Sequence, residues 1–385
     1  MTNEIEMAHI FKEPTESAKG IIVFTHKEFS SFSKRLKVSK SDLFRPSKLL
    51  KKQLSSLSLK HKFESKLEDI SKNYYIGVHW GSYSKDIYSP KWVDFHMTAK
   101  GTTTFVNHSY IIPLNSANFT PRVMKNENEK KYWDIICVAK NDNKKNYPQL
   151  MKAVRRIYDS GYNYKILFII ASNINEAKNS YYTNILDDYY KLFTAKEREN
   201  FTIIKTHPET GFQGFSYTFL SHLYNQSKVF TIFSQREGEC RVIKEAQLCG
   251  LPIVVKSDLE GGGRDYLNSK NSVYFDNYEK AHEALIYTVK NYSDFRIETT
   301  ILEQEIGEMA SILKLHSSFN ILYEKNSEVY DEILFNTDNL NRRLPAHYFD
   351  ESISWASENN FRFSTADIVS SKMFSDFCSE LKSES

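Results

Sequence analysis

Only four cysteines occur in 385 residues, and Cys137, Cys240, Cys249 and Cys378 form neither a Cys-x-x-Cys pair nor a cluster with histidine. Reduced thiols are therefore expected, with no disulfide framework and no zinc site. Long apolar runs are also missing: the stretches at 21–24 and 166–171 are strand-sized and far short of a membrane span. The opening Met-Thr-Asn-Glu-Ile-Glu-Met has neither the basic start nor the apolar core of a secretory signal. A cytoplasmic place is expected, either free or resting on the inner face of the membrane. Net charge is only +3, so nucleic acid is not an expected partner. No Asp-x-Asp stands at a strand end, and Asp187-Asp188 falls in a helical pattern and reads as surface.

What is present suits a folded protein of more than one domain. The length allows two ordinary cores, and 41% hydrophobic residues with mixed charge exclude wholesale disorder. Strand and helix patterns alternate from Trp133 to Tyr292, which predicts a parallel sheet covered on both faces. Earlier, 20–25 and 74–80 read as buried strands, the second ending in the polar Gly81-Ser82-Tyr83-Ser84-Lys85. His79, Ser82, Lys85 and His108 stand near strand ends, where ligand crevices form, although a lone histidine there is more often structural. Between Lys27 and Lys72, 13 basic residues face five acidic ones, with apolar residues at near-helical spacing. This is either an amphipathic helix with a solvated basic face or a surface for anionic lipid or an anionic acceptor.

The stretch 234–255 carries the most chemistry. It reads as strand end, loop, helix, a Gly250-Leu251-Pro252 stop and a short strand, with Glu237 and Glu245 separated by seven residues. Glu237 is expected in the loop before the helix and Glu245 about two turns in, which sets their carboxylates roughly 10 Å apart. Amides and the positive dipole end at Gly238, Cys240 and Arg241 suit a diphosphate, while carboxylates on either side suit hydroxyl groups. Farther upstream, Lys140 ends a predicted strand and Lys145-Asn146 leads into a helix with Pro148 in its first turn.

This pattern resembles the Glu-x7-Glu motif of retaining glycosyltransferases of family 4, the glycosyl transferases group 1. The resemblance implies an α/β protein of the GT-B class, with two Rossmann-like domains facing across a cleft and a helical C-terminal extension that crosses back. It implies residues 1–121 as an acceptor-side domain, 122–292 as the nucleotide-sugar domain and 293–385 as the helical segment. Ile111-Ile112-Pro113-Leu114-Asn115, followed by Phe119-Thr120-Pro121, is similar to the family's interdomain passage, with Leu114 inserted and no glycine after Asn115. By the same resemblance Glu237 contacts the donor sugar, Glu245 the ribose, and Lys140 and Lys145 the diphosphate; His207 falls near the base. The implied reaction is metal-independent transfer with retention from a nucleoside-diphosphate sugar, with UDP the expected nucleotide, to a glycan or lipid-linked glycan in surface-polysaccharide assembly.

Three departures are visible. Lys140 stands where the family has arginine, and a point-charge ammonium lacks the guanidinium fork. His26–Ser31 replaces a glycine-rich loop after the first strand. Glu239-Cys240 occupies positions where the family has a small or aromatic residue and a glycine, and Glu239 either alters donor preference or pairs with Arg241, the second reading being preferred. A scaffold that binds without turnover and a nucleotide-sugar epimerase are the rival readings.

Overall fold

The computed structural model describes residues 8–25, 70–80, 84–87, 89, 91–98, 103–105, 110–171, 181–205 and 215–330. Most of the basic 27–72 stretch, His26–Ser31, His108, His207 and the helical patterns expected beyond 330 lie outside them. Among the described residues no helix is long and apolar enough to cross a membrane. These residues divide into two compact units: the first ends at Ser116 and resumes at Ile312, and the second runs from Ala117 to Ser311. Each has a mainly parallel, Rossmann-like sheet.

The first unit contains β1 (Ala8–Lys12), β2 (Gly20–Thr25), β3 (Tyr74–Trp80), β4 (Ser84–Ile87), β5 (Phe95–Thr98), β6 (Thr103–Phe105) and β7 (Tyr110–Ile112). Its main sheet has the order β1-β2-β3-β5-β7, in which only β1 runs antiparallel; β4 and β6 pair separately. Ile21, Val23, Tyr75, Val78, Phe95 and Met97 are buried within it. Beneath the C-terminal half of β3, Trp80 Nε1 donates to His96 Nδ1 at 2.9 Å, and His96 Nε2 lies 2.9 Å from Ser89 Oγ. An accepting Nδ1 leaves the proton on Nε2, so His96 donates to Ser89 and cannot take its proton. This histidine is structural, and burial pushes its pKa down to about 3.

The second unit is built from β8 (Trp133–Lys140), α1 (Tyr147–Asp159), β9 (Ile166–Ala171), α2 (Tyr181–Leu192), α3 (Ala195–Arg198), β10 (Phe201–Lys205), α4 (Tyr217–Asn225) and β11 (Ser227–Thr231). It continues through β12 (Arg236–Glu237), α5 (Arg241–Leu248), β13 (Ile253–Lys256), β14 (Glu260–Gly261), β15 (Ser272–Phe275), α6 (Ala281–Lys290) and α7 (Thr299–Ile306). The strands carry near-continuous apolar runs because both sheet faces are covered. Successive side chains point to opposite faces. Ile135, Cys137 and Ala139 thus join one core layer with Leu150 and Val154 of α1 and Leu285 of α6. Ile136 and Val138 join the other with Tyr224 of α4, Ile243 of α5 and Leu302 of α7.

All six main strands are parallel, in the order β10-β9-β8-β11-β13-β15. Numbered within the sheet this is 3-2-1-4-5-6, the doubly wound order, and the direction of winding reverses between β8 and β11. The first unit's described strands step one way only, without such a reversal.

The division after Ser116 lies ahead of the boundary expected at 121, and α7, expected in a separate terminal segment, belongs to the second unit. Its Leu302 and Ile306 are buried in that core. The extension then forms α8 (Glu308–Lys325). From Ile312 onward α8 belongs to the first unit, where Phe319 packs edge-on to Phe11 and Phe95 at 5.4 and 5.7 Å. Tyr323 meets Tyr75 at 5.0 Å and donates its hydroxyl proton to the Lys19 carbonyl.

Candidate functional site

The winding reversal opens a crevice at the carboxyl ends of β8 and β11, and the two loops leaving these strands carry most of the candidate residues. The β8 loop is tied at both ends. Asn141 N–H donates to Ala171 O at 2.8 Å, and the Tyr147 hydroxyl donates to Ala139 O at 3.0 Å. Between these ties Asp142 caps a single 3-10 turn, Asn143–Lys145, by accepting from Lys144 N–H at 2.9 Å. Asn146 is left-handed, at φ 55°, a conformation asparagine tolerates better than most residues. That turn lifts Lys145 off the sheet and starts α1, with Pro148 in its first turn.

The loop after β11 is held by a second, smaller pairing. Glu237 lies in β12, whose parallel partner is β14, rather than in irregular loop. Glu260 N–H donates to Gln235 O at 2.9 Å and Gly262 N–H to Gly238 O at 3.0 Å, while Arg236 pairs with Glu260 at 2.8 Å. A Cβ on Gly262 would stand 2.1 Å from Gly238 O, so only glycine permits this approach. The glycine run at 261–263 is therefore the seat of the Glu237 loop. Cys240 then turns into α5 at φ 42°, left-handed, and Gly250, at φ 82°, follows its end.

The two loops meet in one ion pair. Lys145 Nζ lies 2.6 and 2.7 Å from the two carboxylate oxygens of Glu237, with only 18% and 9% of the two side chains exposed. Burial works against the charge on Lys145, but the attraction of Glu237 outweighs it and holds the ammonium above its ordinary range. Around this pair the thiols are inert: burial pushes Cys137 up to about 12 and raises Cys240 well above the usual thiol range.

Glu245 is buried on α5 and accepts from the Tyr224 hydroxyl at 3.3 Å. Arg241, at the start of α5, is half-buried; burial opposes its charge, yet Tyr217, Glu239 and Glu245 together hold it firmly protonated. Glu239 Oε2 lies 3.9 Å from Arg241 Nε, an orientation toward the arginine. Lys140 ends β8 with its side chain exposed. Behind α5, Lys244 stacks its ammonium 4.7 Å above the Tyr266 ring, and Gln247 donates to Tyr266 O at 3.0 Å.

Thus the second unit gathers Lys140, Lys145, Glu237, Gly238, Cys240, Arg241 and Glu245 around the ends of β8 and β11. His207, Ser82 and His108 lie outside the described residues, and His79 is buried in β3 of the first unit. Sequence reasoning missed Tyr217, Tyr224 and Asp142. Asp142 carried a signal in the Asp-x-x-Lys spacing of a capped turn; the tyrosines carried none, because they reach the site from a neighbouring helix. Among the described residues no group of three or more His, Cys, Asp or Glu side chains is placed to hold a metal ion.

Residues 120–300 match the family of glycosyl transferases, group 1. The fold is that of a GT-B glycosyltransferase. No curated protein matches the chain. Among solved structures, it is similar to the pneumococcal O-GlcNAc transferase GtfA, solved with UDP and GlcNAc, at 13% identity and a TM-score of 0.47, over 66% of this chain and 53% of GtfA. It is similar to TarM at 12% identity and a TM-score of 0.47, over 65% and 51% of the two chains. Sucrose-phosphate synthase from Thermosynechococcus elongatus is also similar, at 13% identity and a TM-score of 0.48, over 75% and 81%. The match spans about half the length of GtfA and of TarM.

Proposed function

We propose that the protein transfers a sugar from a nucleoside-diphosphate sugar to a glycan acceptor with retention at the anomeric carbon. The observation that carries this reading is the meeting of Lys145 and Glu237 at the winding reversal of a doubly wound sheet, within the segment that matches the glycosyl transferases. Phosphates favour such a place, since amides and the positive end of α5 add to Lys140, Lys145 and Arg241. Glu237 is the acceptor for sugar hydroxyls, and Glu245, about one turn along α5, is on the ribose side.

In the proposed step the acceptor hydroxyl oxygen bonds to the anomeric carbon on the face from which the diphosphate leaves. The carbon–oxygen bond to phosphate breaks, and the hydroxyl proton passes to a departing phosphate oxygen. Lys140 and Lys145 carry the charge that grows on the leaving group, a preorganised electrostatic role. Transfer proceeds without a bound metal, UDP is the first nucleotide to try, and the acceptor is a glycan or lipid-linked glycan of surface-polysaccharide assembly.

Calorimetric titration with UDP, GDP, ADP and CMP, with and without magnesium, tests the donor site. One nucleoside diphosphate should bind without the metal, and Lys145→Ala should weaken the binding of its sugar conjugate by about 10- to 100-fold, the loss of one charge-assisted contact. Absence of binding across the panel and the matching sugar conjugates would discard the donor reading. Binding without any sugar transfer would instead favour a scaffold, a reading that the lysine at position 140 supports.

A further inference from the structure

Lys145 and Glu237 have different tasks in the donor reading, yet they hold each other. Glu237 receives the ammonium on both oxygens, at 2.6 and 2.7 Å, and its side chain is only 9% exposed. A bare nucleoside diphosphate brings negative charge and phosphate oxygens, which are acceptors. Taking Lys145 for itself, it would leave the buried Glu237 carboxylate without its cation and beside a second anion. Breaking a buried pair from one side is costly because the remaining charge has neither water nor a partner. A sugar nucleotide differs in one chemical respect: its hexose carries hydroxyl donors that an ionised carboxylate can accept from.

We propose that the Lys145–Glu237 pair couples the two halves of the donor, so that Lys145 is released to the diphosphate only when sugar hydroxyls take over Glu237. The pair is then a specificity device that favours hydroxylated sugar nucleotides and works against bare nucleoside diphosphates, including the leaving product. This inference rests on the donor reading above. It adds that Glu237 opposes nucleotide binding when no sugar is present.

The test is titration of wild-type protein and Glu237→Gln with UDP, GDP and ADP and with their glucose conjugates. In Glu237→Gln the bare diphosphate that binds wild type should gain about tenfold in affinity, because Lys145 is free; its sugar conjugate should gain less, because an acceptor for hydroxyls is weakened. An unchanged or lower affinity for the bare diphosphate, in a variant whose thermal midpoint matches wild type, overturns the coupling while the donor reading stands. Should Glu237→Gln fail to fold, wild-type crystals decide. Soaked with the bare diphosphate they should keep Lys145 against Glu237, and with the sugar conjugate they should show it on phosphate. Lys145 leaving Glu237 for a bare diphosphate overturns the proposal. No binding of any of the six compounds to wild type removes the donor reading and the coupling with it.

Discussion

Cys240 holds a backbone conformation that L-residues avoid, at φ 42° and ψ 53°, and it does so where the chain turns into α5. A side chain in this region costs about 1 kcal/mol relative to glycine. Two contacts keep it there: the thiol is buried, and a Cβ on Gly263 would stand only 2.9 Å from the Cys240 Cβ, so the neighbouring loop closes over it. Cys240→Gly removes the strain and loses a small buried side chain. The two terms nearly cancel, and the thermal midpoint should change by less than that of an ordinary core truncation. Cys240→Val has the opposite character, since a β-branched residue in the left-handed region is a true outlier, and should cost about 2 kcal/mol or more. Equal melting temperatures for the two variants would show that position 240 carries no backbone strain.

At the scale of elements, the site depends on how closely two short strands run. β12 and β14 are two residues each, and their alignment rests on Gly262, whose missing Cβ leaves room for the Gly238 carbonyl. Gly262→Ala must push the loops apart, moving Glu237 relative to Lys145. Overall stability should fall by about 1–3 kcal/mol, as for overpacking, while nucleotide affinity changes out of proportion to it. An affinity equal to wild type in Gly262→Ala would mean that the β12–β14 seat does not position the site. None of this pairing was legible in the sequence, where Glu260-Gly261-Gly262-Gly263 reads either as room for a ligand to approach the backbone or as a flexible surface turn. The alternation of strands and helices between Trp133 and Tyr292 was legible because apolar strand runs and amphipathic helix patterns differ in period, and the helix expected after Lys145-Asn146 is α1, with Pro148 in its first turn. Other elements hid for physical reasons. β5 contains His96 and Thr98, polar residues that become satisfied core only after folding, and β7 is interrupted at once by Pro113. The two site loops could be located from motif spacing, but not the pairing of Lys145 with Glu237, which depends on where two strands lie beside each other in the sheet.

For the whole molecule, the two units should respond differently to acid. In the first, His96 is buried and neutral, with its pKa pushed down to about 3 by burial, against about 6.5 in an unfolded chain. The unfolded form therefore binds a proton that the folded form refuses, so stability is complete above pH 6.5 and falls as pH drops toward 3. At pH 4.5 the loss is on the order of 3 kcal/mol, a large part of a domain's stability. The second unit behaves differently. Its Glu197 carboxylate is held down to about 2, first by hydrogen bonds from Arg155 and also by Thr194 in a capping box. That contribution is intact above about pH 4.5 and disappears only as pH falls toward 2. Hydrogen exchange read peptide by peptide should thus show β2, β3 and β5 losing protection between pH 6.5 and 4.5 while β8, β9 and α1 keep theirs. His96→Gln keeps an acceptor for Trp80 and a donor for Ser89 without a titrating ring, and should flatten the loss in the first unit. A slope that survives this substitution, or equal slopes in both units, would move the acid sensitivity to another group.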